Sequence, residues 1–303
     1  LAHGVADDLL TSTLLESSCP LVVAPAMHEG MWRSDATRDN VATLERRGVR
    51  FVGPATGPLA AGDEGTGRME EPEAILAAAE EVLARSVDLA GRTIVVTSGG
   101  THEPVDAVRF IGNRSSGKMG TAVAAEAAAR GAAVVLISGP ASVPPPDGVR
   151  AVDVSTAAEM LAATREAIGD ADALVMAAAV ADFRPARVEG GKLKRRDGVP
   201  EVRLEPTPDI LAELSGALEG RVVVAFAAET TDLERAGREK LDAKQLDVIV
   251  VNEVGRPGTG FGSDTNEALI LSADGDDSPL ATWTKRSLAR EICDRLAKLL
   301  ERS

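Results

Sequence analysis

The 303-residue chain contains no tyrosine, and aromatic side chains make up only 2% of it. Its core must therefore be filled by Ala, Val, Leu and Ile, as in the Ala-rich helices and Val/Ile-rich strands of α/β proteins. Cysteine is almost missing as well: Cys19 and Cys293 lie far apart in sequence. Two lone cysteines supply neither a disulfide framework nor metal-ligand spacing, and they suit a reducing compartment. No apolar run reaches the length of a membrane span, so no membrane partner is expected. No basic stretch followed by an apolar core opens the chain, so no signal peptide is expected and the cytoplasm is the expected location. Positive charge is scarce, with 33 Lys and Arg against 47 Asp and Glu and a net charge of −14. A broad nucleic-acid surface would need a basic face, which excludes that class of partner. A small basic pocket for a phosphorylated ligand is not excluded, and clustered Lys and Arg become informative in so acidic a chain.

The length suggests two domains. The chain opens on Leu1, and LAHGVADDLLTSTLLE reads as the interior of a helix, so a truncated or processed chain is expected. Residues 21–24 and 49–52 read as short strands. Residues 36–47 and 72–85 read as helices, the second opened by Pro72. This block, residues 1–86, holds few strands and looks like part of a doubly wound domain. From residue 90 to 303 strands are expected at 93–98, 133–138, 173–179, 222–228, 247–252 and 267–273. Helices are expected from Gly117 to a stop at Gly131, and at 156–168, 231–244 and 284–301. Such alternation predicts an α/β fold with a Rossmann-like, mostly parallel sheet covered on both faces.

Ligands of open parallel sheets sit at the carboxyl ends of the strands. The segments there are SGGTHEPVDAVRFIGNRSSGKMG, VADFRPARVEGGKLKRR, ETTD and EVGRPGTGFGSDTN, all rich in Gly, Asn, Asp, Lys and Arg. Gly112-x-x-x-x-Gly117-Lys118 approaches a P-loop, but Met119 stands where the magnesium-binding Ser/Thr belongs. Ser115-Ser116-Gly117 at a helix start suits an anion; it suits an ordinary N-cap equally well. The run Lys192, Lys194, Arg195, Arg196 reads either as a solvated face or as a flap over phosphates. Lys240 and Lys244 share one helix face, where lysines are mostly solvating. His3, His28 and His102 form no acid/base pair by spacing. A nicotinamide dehydrogenase would need G-x-G-x-x-G after the first strand, and TIVVTSGGTHEP does not supply it. The residues by themselves give an α/β protein with a phosphate-rich ligand site.

At FIGNRSSGKMG, MAAAVADF, GKLKRR, AFAAET and VVNEV…FGSDTN the sequence resembles the ligase half of the bacterial bifunctional phosphopantothenoylcysteine decarboxylase/phosphopantothenate–cysteine ligase. The resemblance runs over about residues 90–303, with several motifs in the family's order. It implies coenzyme A biosynthesis: CTP-dependent joining of 4′-phosphopantothenate to L-cysteine through an acyl-cytidylate, with magnesium sharing the neutralisation of the triphosphate. It implies a homodimer with the site at the interface. By the same resemblance Asn113 contacts the acyl intermediate and Lys192 is the flap lysine on the triphosphate, both as catalytic groups. Ala178, Asp182, Pro208, Asp209, Ile210, Leu211, Phe226, Lys240 and Lys244 match the CTP pocket. Arg109, Asn113 and Ala179 match substrate positions. Retention of Asn113, Lys192 and Asp182 together argues against a non-catalytic scaffold.

Residues 1–86 resemble the later part of the family's flavin-dependent decarboxylase. PAMHEGMW matches a PxMNxxMW segment, and GDEGTGRM, which ends on Arg68 and Met69, matches the substrate clamp. His28 stands where many members have an Asn that holds the substrate carboxylate, and Ala61 where many have a proton-donating Cys. The resemblance places FMN, decarboxylation and any assembly beyond the dimer with the full-length parent, and neither FMN binding nor decarboxylation is expected of this chain alone.

Overall fold

The computed structural model describes residues 1–17, 19–58, 64–85, 87–194, 198–255, 263 and 265–302. The chain divides into two compact units, Leu1–Val87 and Asp88–Ser303.

In the first unit, α1 (Leu9–Glu16), β1 (Val22–Val23), α2 (Glu29–Trp32), α3 (Asp35–Arg46), β2 (Arg50–Phe51), β3 (Ala55–Pro58), β4 (Glu64–Arg68) and α4 (Pro72–Arg85) follow in order. The chain does not open inside a helix, contrary to expectation. The Asp8 carboxylate accepts the Thr11 N–H at 2.7 Å and, with the Thr11 hydroxyl returned to the Asp8 backbone, closes a capping box that starts α1 at Leu9. β1 and β2 form a parallel pair of two rungs. β3 and β4 form an antiparallel hairpin that the Gly-rich composition did not announce. The tip of that hairpin, with Ala61, lies outside the described residues.

The second unit contains β5 (Thr93–Ser98), β6 (His102–Pro104), β7 (Phe110–Gly112), α5 (Lys118–Ala129), β8 (Ala133–Ser138), β9 (Arg150–Asp153), α6 (Ala157–Ala167), β10 (Ala173–Met176), β11 (Phe183–Pro185), β12 (Leu204–Pro206), α7 (Ile210–Leu214), β13 (Val222–Glu229), α8 (Leu233–Ala243), β14 (Val248–Glu253), β15 (Thr265–Ser272), β16 (Ser278–Thr284) and α9 (Lys285–Leu300). Eight strands form one sheet in the order β16-β15-β14-β13-β10-β5-β8-β9, parallel from β14 to β9 and antiparallel at β15 and β16. The period-2 rule sorts the strand side chains. Ile94, Val96, Val222 and Val224 join α5 and α9 in one core, whereas Val95, Val223 and Ala225 join α6, α7 and α8 in the other. A sheet buried on both faces explains why its strands read as continuous apolar runs.

Two short hairpins, β6–β7 and β11–β12, stand outside this sheet. Because Gly112 belongs to the first of them, the Gly112–Lys118 spacing does not form a strand–loop–helix P-loop. The chain leaves β5 toward β8 on one side of the sheet and returns to β10 on the other. This places a topological switch point between β5 and β10, where open α/β sheets have their ligand crevice. Among the described residues no helix is long and apolar enough to cross a membrane.

Candidate active site

The strand expected over 173–179 ends at Met176, and beyond it the chain is held by three bonds. Ala178 N–H donates to Thr97 Oγ1 at 3.2 Å, Ala179 N–H to Gly99 O at 2.8 Å, and Ala181 N–H to Thr101 Oγ1 at 2.9 Å. Ala179 still pairs with Gly100 in a single parallel bridge, while the fully buried Thr97 and Thr101 side chains take the neighbouring N–H groups and staple the loops after β5 and β10. The strand-end loops also approach too closely for side chains: a Cβ on Gly139 would strike the Gly100 carbonyl.

A cavity of about 430 Å³ opens above this staple. Its walls come from the α5 N-terminus, the loop after β10, the segment before α7, the ends of β13 and β14, and α8. Of the residues singled out in the sequence, it gathers Asn113, Ala178, Ala179, Asp182, Pro208, Asp209, Ile210, Leu211, Phe226, Lys240 and Lys244. Asn113 donates one Nδ2 hydrogen to Val180 O at 2.9 Å, which holds the loop after β10 against the approach to α5. Lys244 Nζ lies 2.9 and 3.0 Å from the two Asp209 oxygens, and Lys240 Nζ lies 2.6 Å from Glu229 Oε1. Burial works to raise the Asp209 carboxyl, but the Lys244 ammonium and the Ala212 N–H outweigh it and hold it below the usual carboxylate range. Both lysines are thus paired with carboxylates at the cavity wall.

Ser115, Ser116 and Gly117 line the same cavity. Gly117 caps α5 at φ +76°, a left-handed conformation that glycine adopts without a Cβ penalty, and no side chain caps this terminus. The α5 N-terminus thus lines the cavity without a side-chain cap, an arrangement that suits an anion.

Arg109 and Lys192 do not line the cavity. Asp106 gathers them elsewhere: its buried carboxylate accepts the N–H groups of Val108 and Arg109 at 2.8 Å and that of Leu193 at 3.0 Å. Arg109 Nη2 donates to Leu193 O at 3.1 Å. Desolvation pushes the Asp106 carboxyl up, and the three backbone donors with the Arg109 guanidinium bring it below its ordinary value. The flap segment bearing Lys192 and Lys194 is thus tied to the β6–β7 turn, with Lys192 exposed. Arg195 and Arg196 lie outside the described residues.

Sequence reasoning passed over the end of the cavity formed, beside Lys118, by Asn252, Glu253, Asn266, Glu267 and Lys285. The segments VVNEV and SDTN were visible as motifs, but nothing in their spacing says that an antiparallel β15 brings Asn266 beside Asn252. Four lysines and four carboxylates (Asp182, Asp209, Glu253, Glu267) line the cavity. In a chain of net charge −14 this lining is charge-balanced, with its four cations gathered in one place.

In the first unit the structure joins the two segments that carry His28, Arg68 and Met69. Met27 N–H donates to Gly67 O at 2.9 Å, and a Cβ on Gly67 would collide with the Met27 carbonyl. His28 caps α2, Arg68 pairs with Glu71, and Met69 is exposed.

Comparison with known proteins agrees with this division. The family model for the DNA/pantothenate metabolism flavoprotein C-terminal domain matches residues 89–300, and the flavoprotein family model matches residues 1–84. The coenzyme A biosynthesis bifunctional protein CoaBC of Mycobacterium tuberculosis is 48% identical over 315 residues, covering 99% of this chain and 75% of that protein. The CoaBC of Bacillus subtilis is 43% identical over 302 residues, with 99% and 74% covered. A crystal structure of a CoaBC C-terminal domain superposes with a TM-score of 0.62 at 36% identity, covering 72% of this chain and all of that one. Two family models in order along the chain, and identity at this level over nearly all of it, establish that the chain belongs to the CoaBC family of bifunctional coenzyme A biosynthesis proteins.

Proposed function

We propose that residues 88–303 carry the phosphopantothenate–cysteine ligase reaction and that the cavity at the switch point is its nucleotide and acyl site. The observation that carries this reading is the convergence of Asn113, Ala178, Asp182, Asp209, Lys240 and Lys244 from separate segments on one cavity. The carboxylate of 4′-phosphopantothenate attacks the α-phosphorus of CTP, forming the acyl-cytidylate and expelling pyrophosphate. The amine of L-cysteine then attacks the acyl carbon; the C–O bond to CMP breaks, and the amine proton leaves to solvent.

The physical obstacle in the first step is repulsion between two anions. Lys240 and Lys244 reduce it at one end of the cavity, and the first-turn N–H groups of α5 reduce it at another. Lys192 adds its charge when the flap leaves its ties to Asp106 and Arg109. Asn113 keeps the acyl carbonyl polarised with its second Nδ2 hydrogen while the first holds Val180. Among the described residues no group of three His, Cys, Asp or Glu side chains could hold a metal ion. In this reading magnesium accompanies the triphosphate and would supply further positive charge there.

Val108, Phe110, Phe183 and Leu204 are exposed on the two hairpins, which pack on each other beside Arg109. An apolar face there supports a homodimer in which Arg109 reaches substrate. Among the described residues of the first unit, the parallel pair β1–β2 has two rungs, and no residue is assigned to FMN. The flavoprotein family match over residues 1–84 associates decarboxylation and FMN with this part of the family's fold. The expected setting is the cytoplasm.

The test is pyrophosphate release from CTP by the purified chain with magnesium and 4′-phosphopantothenate, with and without cysteine. Release that becomes sustained turnover only with cysteine is the expected result. No release from CTP or ATP by folded protein would overturn the reading.

A further inference from the structure

The end of the cavity that sequence reasoning passed over holds a short chain of hydrogen bonds. Lys285, the first residue of α9, donates from Nζ to Asn266 Oδ1. Asn266 in turn donates from Nδ2 to Asn252 Oδ1 at 2.6 Å. Strand pairing creates this proximity: Asn252 pairs with Ala268 across β14–β15, and Asn266 pairs with Trp283 across β15–β16, two residues before Lys285. Asn266 is 7% exposed, so its amide has little water with which to exchange partners. All three residues line the cavity.

The chain has a direction. An ammonium only donates, whereas a carboxamide accepts at one end and donates at the other. With Lys285 at its head, Asn266 must turn its oxygen to the lysine and its NH2 to Asn252. Asn252 must then give its oxygen to Asn266, which leaves its own NH2 for the cavity. Without the lysine either orientation of the two amides satisfies the pair, and the reversed one points a carbonyl oxygen at any anion present. We propose that Lys285 and Asn266 are positioning residues that set the polarity of the Asn252 carboxamide, so that its NH2 meets a phosphate oxygen of the nucleotide, at the end that departs as pyrophosphate. The assignment of phosphates to this end rests on the ligase reading; the polarity itself rests on the hydrogen bonds.

Asn266→Asp is the diagnostic change. It is nearly isosteric and keeps a partner for Lys285, but it cannot donate to Asn252. The Asn252 NH2 then turns toward the new carboxylate, and its oxygen faces the cavity. Lys285→Met, at a half-buried position, releases the same constraint without placing a new charge in the interior.

The experiment measures binding of inorganic pyrophosphate to the full chain by calorimetry, beside the steady-state constants for CTP. The proteins are wild type, Asn266→Asp, Lys285→Met, Asn252→Ala and Asn252→Ala combined with Asn266→Asp. The loss of one hydrogen bond to a charged group predicts pyrophosphate binding about tenfold weaker in each single variant. KM for CTP rises by a similar factor, while kcat and the KM for cysteine stay within about threefold of wild type. The double variant is no weaker than Asn252→Ala, because Asn266 acts only through Asn252. Wild-type affinity in Asn266→Asp and Lys285→Met, or effects that multiply in the double variant, would overturn the proposal. So would absence of pyrophosphate binding by the wild type. Pyrophosphate binding that responds to these variants in a chain that releases none from CTP would retain the polarity device and remove the ligase reading alone.

Discussion

The two units use similar sequence signals and reach different degrees of burial. In residues 88–303 the inner strands of the large sheet are buried on both faces, and the two faces carry cores that include fully buried Ile94, Leu174, Ile249 and Ile292. Among the described residues of 1–87, the buried apolar side chains are Ala2, Pro25, Val49 and Ala78, whereas Leu9, Leu10, Met31, Leu76 and Leu83 are exposed. Helix α4 is as regular in sequence as α6, and its boundaries are as legible. Periodicity announces a helix; only a partner face makes it stable.

The largest expected effect comes from separating the units. Residues 88–303 expressed alone contain both cores and are expected to unfold cooperatively in urea and to release pyrophosphate as the full chain does. Residues 1–87 alone are expected to show no cooperative transition, since burial of this extent cannot offset the chain entropy. A sharp transition in the short piece, or loss of turnover in the long one, would break the comparison.

Next come substitutions at matching kinds of position. Lys192→Gln is expected to lower the rate with CTP at least a hundredfold, the cost of removing one group that stabilises developing charge. Asn113→Asp should spare pyrophosphate release more than amide formation, and His28→Ala should leave both unchanged. Equal small effects of the first two would remove them from the site.

Stability gives the third contrast. Arg130 is 5% exposed and pairs with Asp88 and with Asp294, the latter at 2.8 Å. Arg130→Met should cost about 3 kcal/mol, because it leaves two carboxylates partly desolvated and unpaired. Arg50 pairs with Glu81 at 3.4 Å with both side chains half exposed, so Arg50→Met should cost under about 0.5 kcal/mol. Urea midpoints of the two variants decide between these expectations.

What could be read in advance follows the same line. The strands over 93–98 and 133–138 were legible to the residue, because a strand buried on both faces is an uninterrupted apolar run. β9, RAVD, was invisible: it lies at the sheet edge with three of its four residues exposed. The lining residues Asn113, Asp182, Lys240 and Lys244 were accessible through family motifs, not through spacing. Asn252 and Asn266 were hidden, because their meaning lies in a cross-strand register that no local pattern states. The tie between Asp106 and Leu193 was hidden for the same reason, since 87 positions separate the partners.

The smallest effect tests how burial acts on charge in the two units. Asp247 accepts the Val223 N–H at 2.7 Å at the start of β14. Burial pushes its carboxyl above the ordinary value, against the pull of that hydrogen bond, and nearby Asp274 adds to the rise. A folded-state value above the unfolded one, about 3.9, means that the folded chain holds its proton longer. The contribution to stability is therefore complete below that unfolded value and is lost as pH rises through the folded one. Asp247→Asn keeps an acceptor for Val223 and removes the charge, so the variant should gain on wild type as pH rises from 3 to 7, by less than about 1 kcal/mol. Asp8, exposed in the first unit, is held below its ordinary value by the Thr11 N–H and hydroxyl. Its capping contribution is present above the unfolded value and lost as pH falls, so Asp8→Ala should lose helix content near neutrality and match wild type near pH 2. Difference curves of opposite slope, followed by circular dichroism, would show burial setting the sign in one unit and local hydrogen bonding in the other. Parallel curves would mean that Asp247 is better hydrated than its place in the sheet implies.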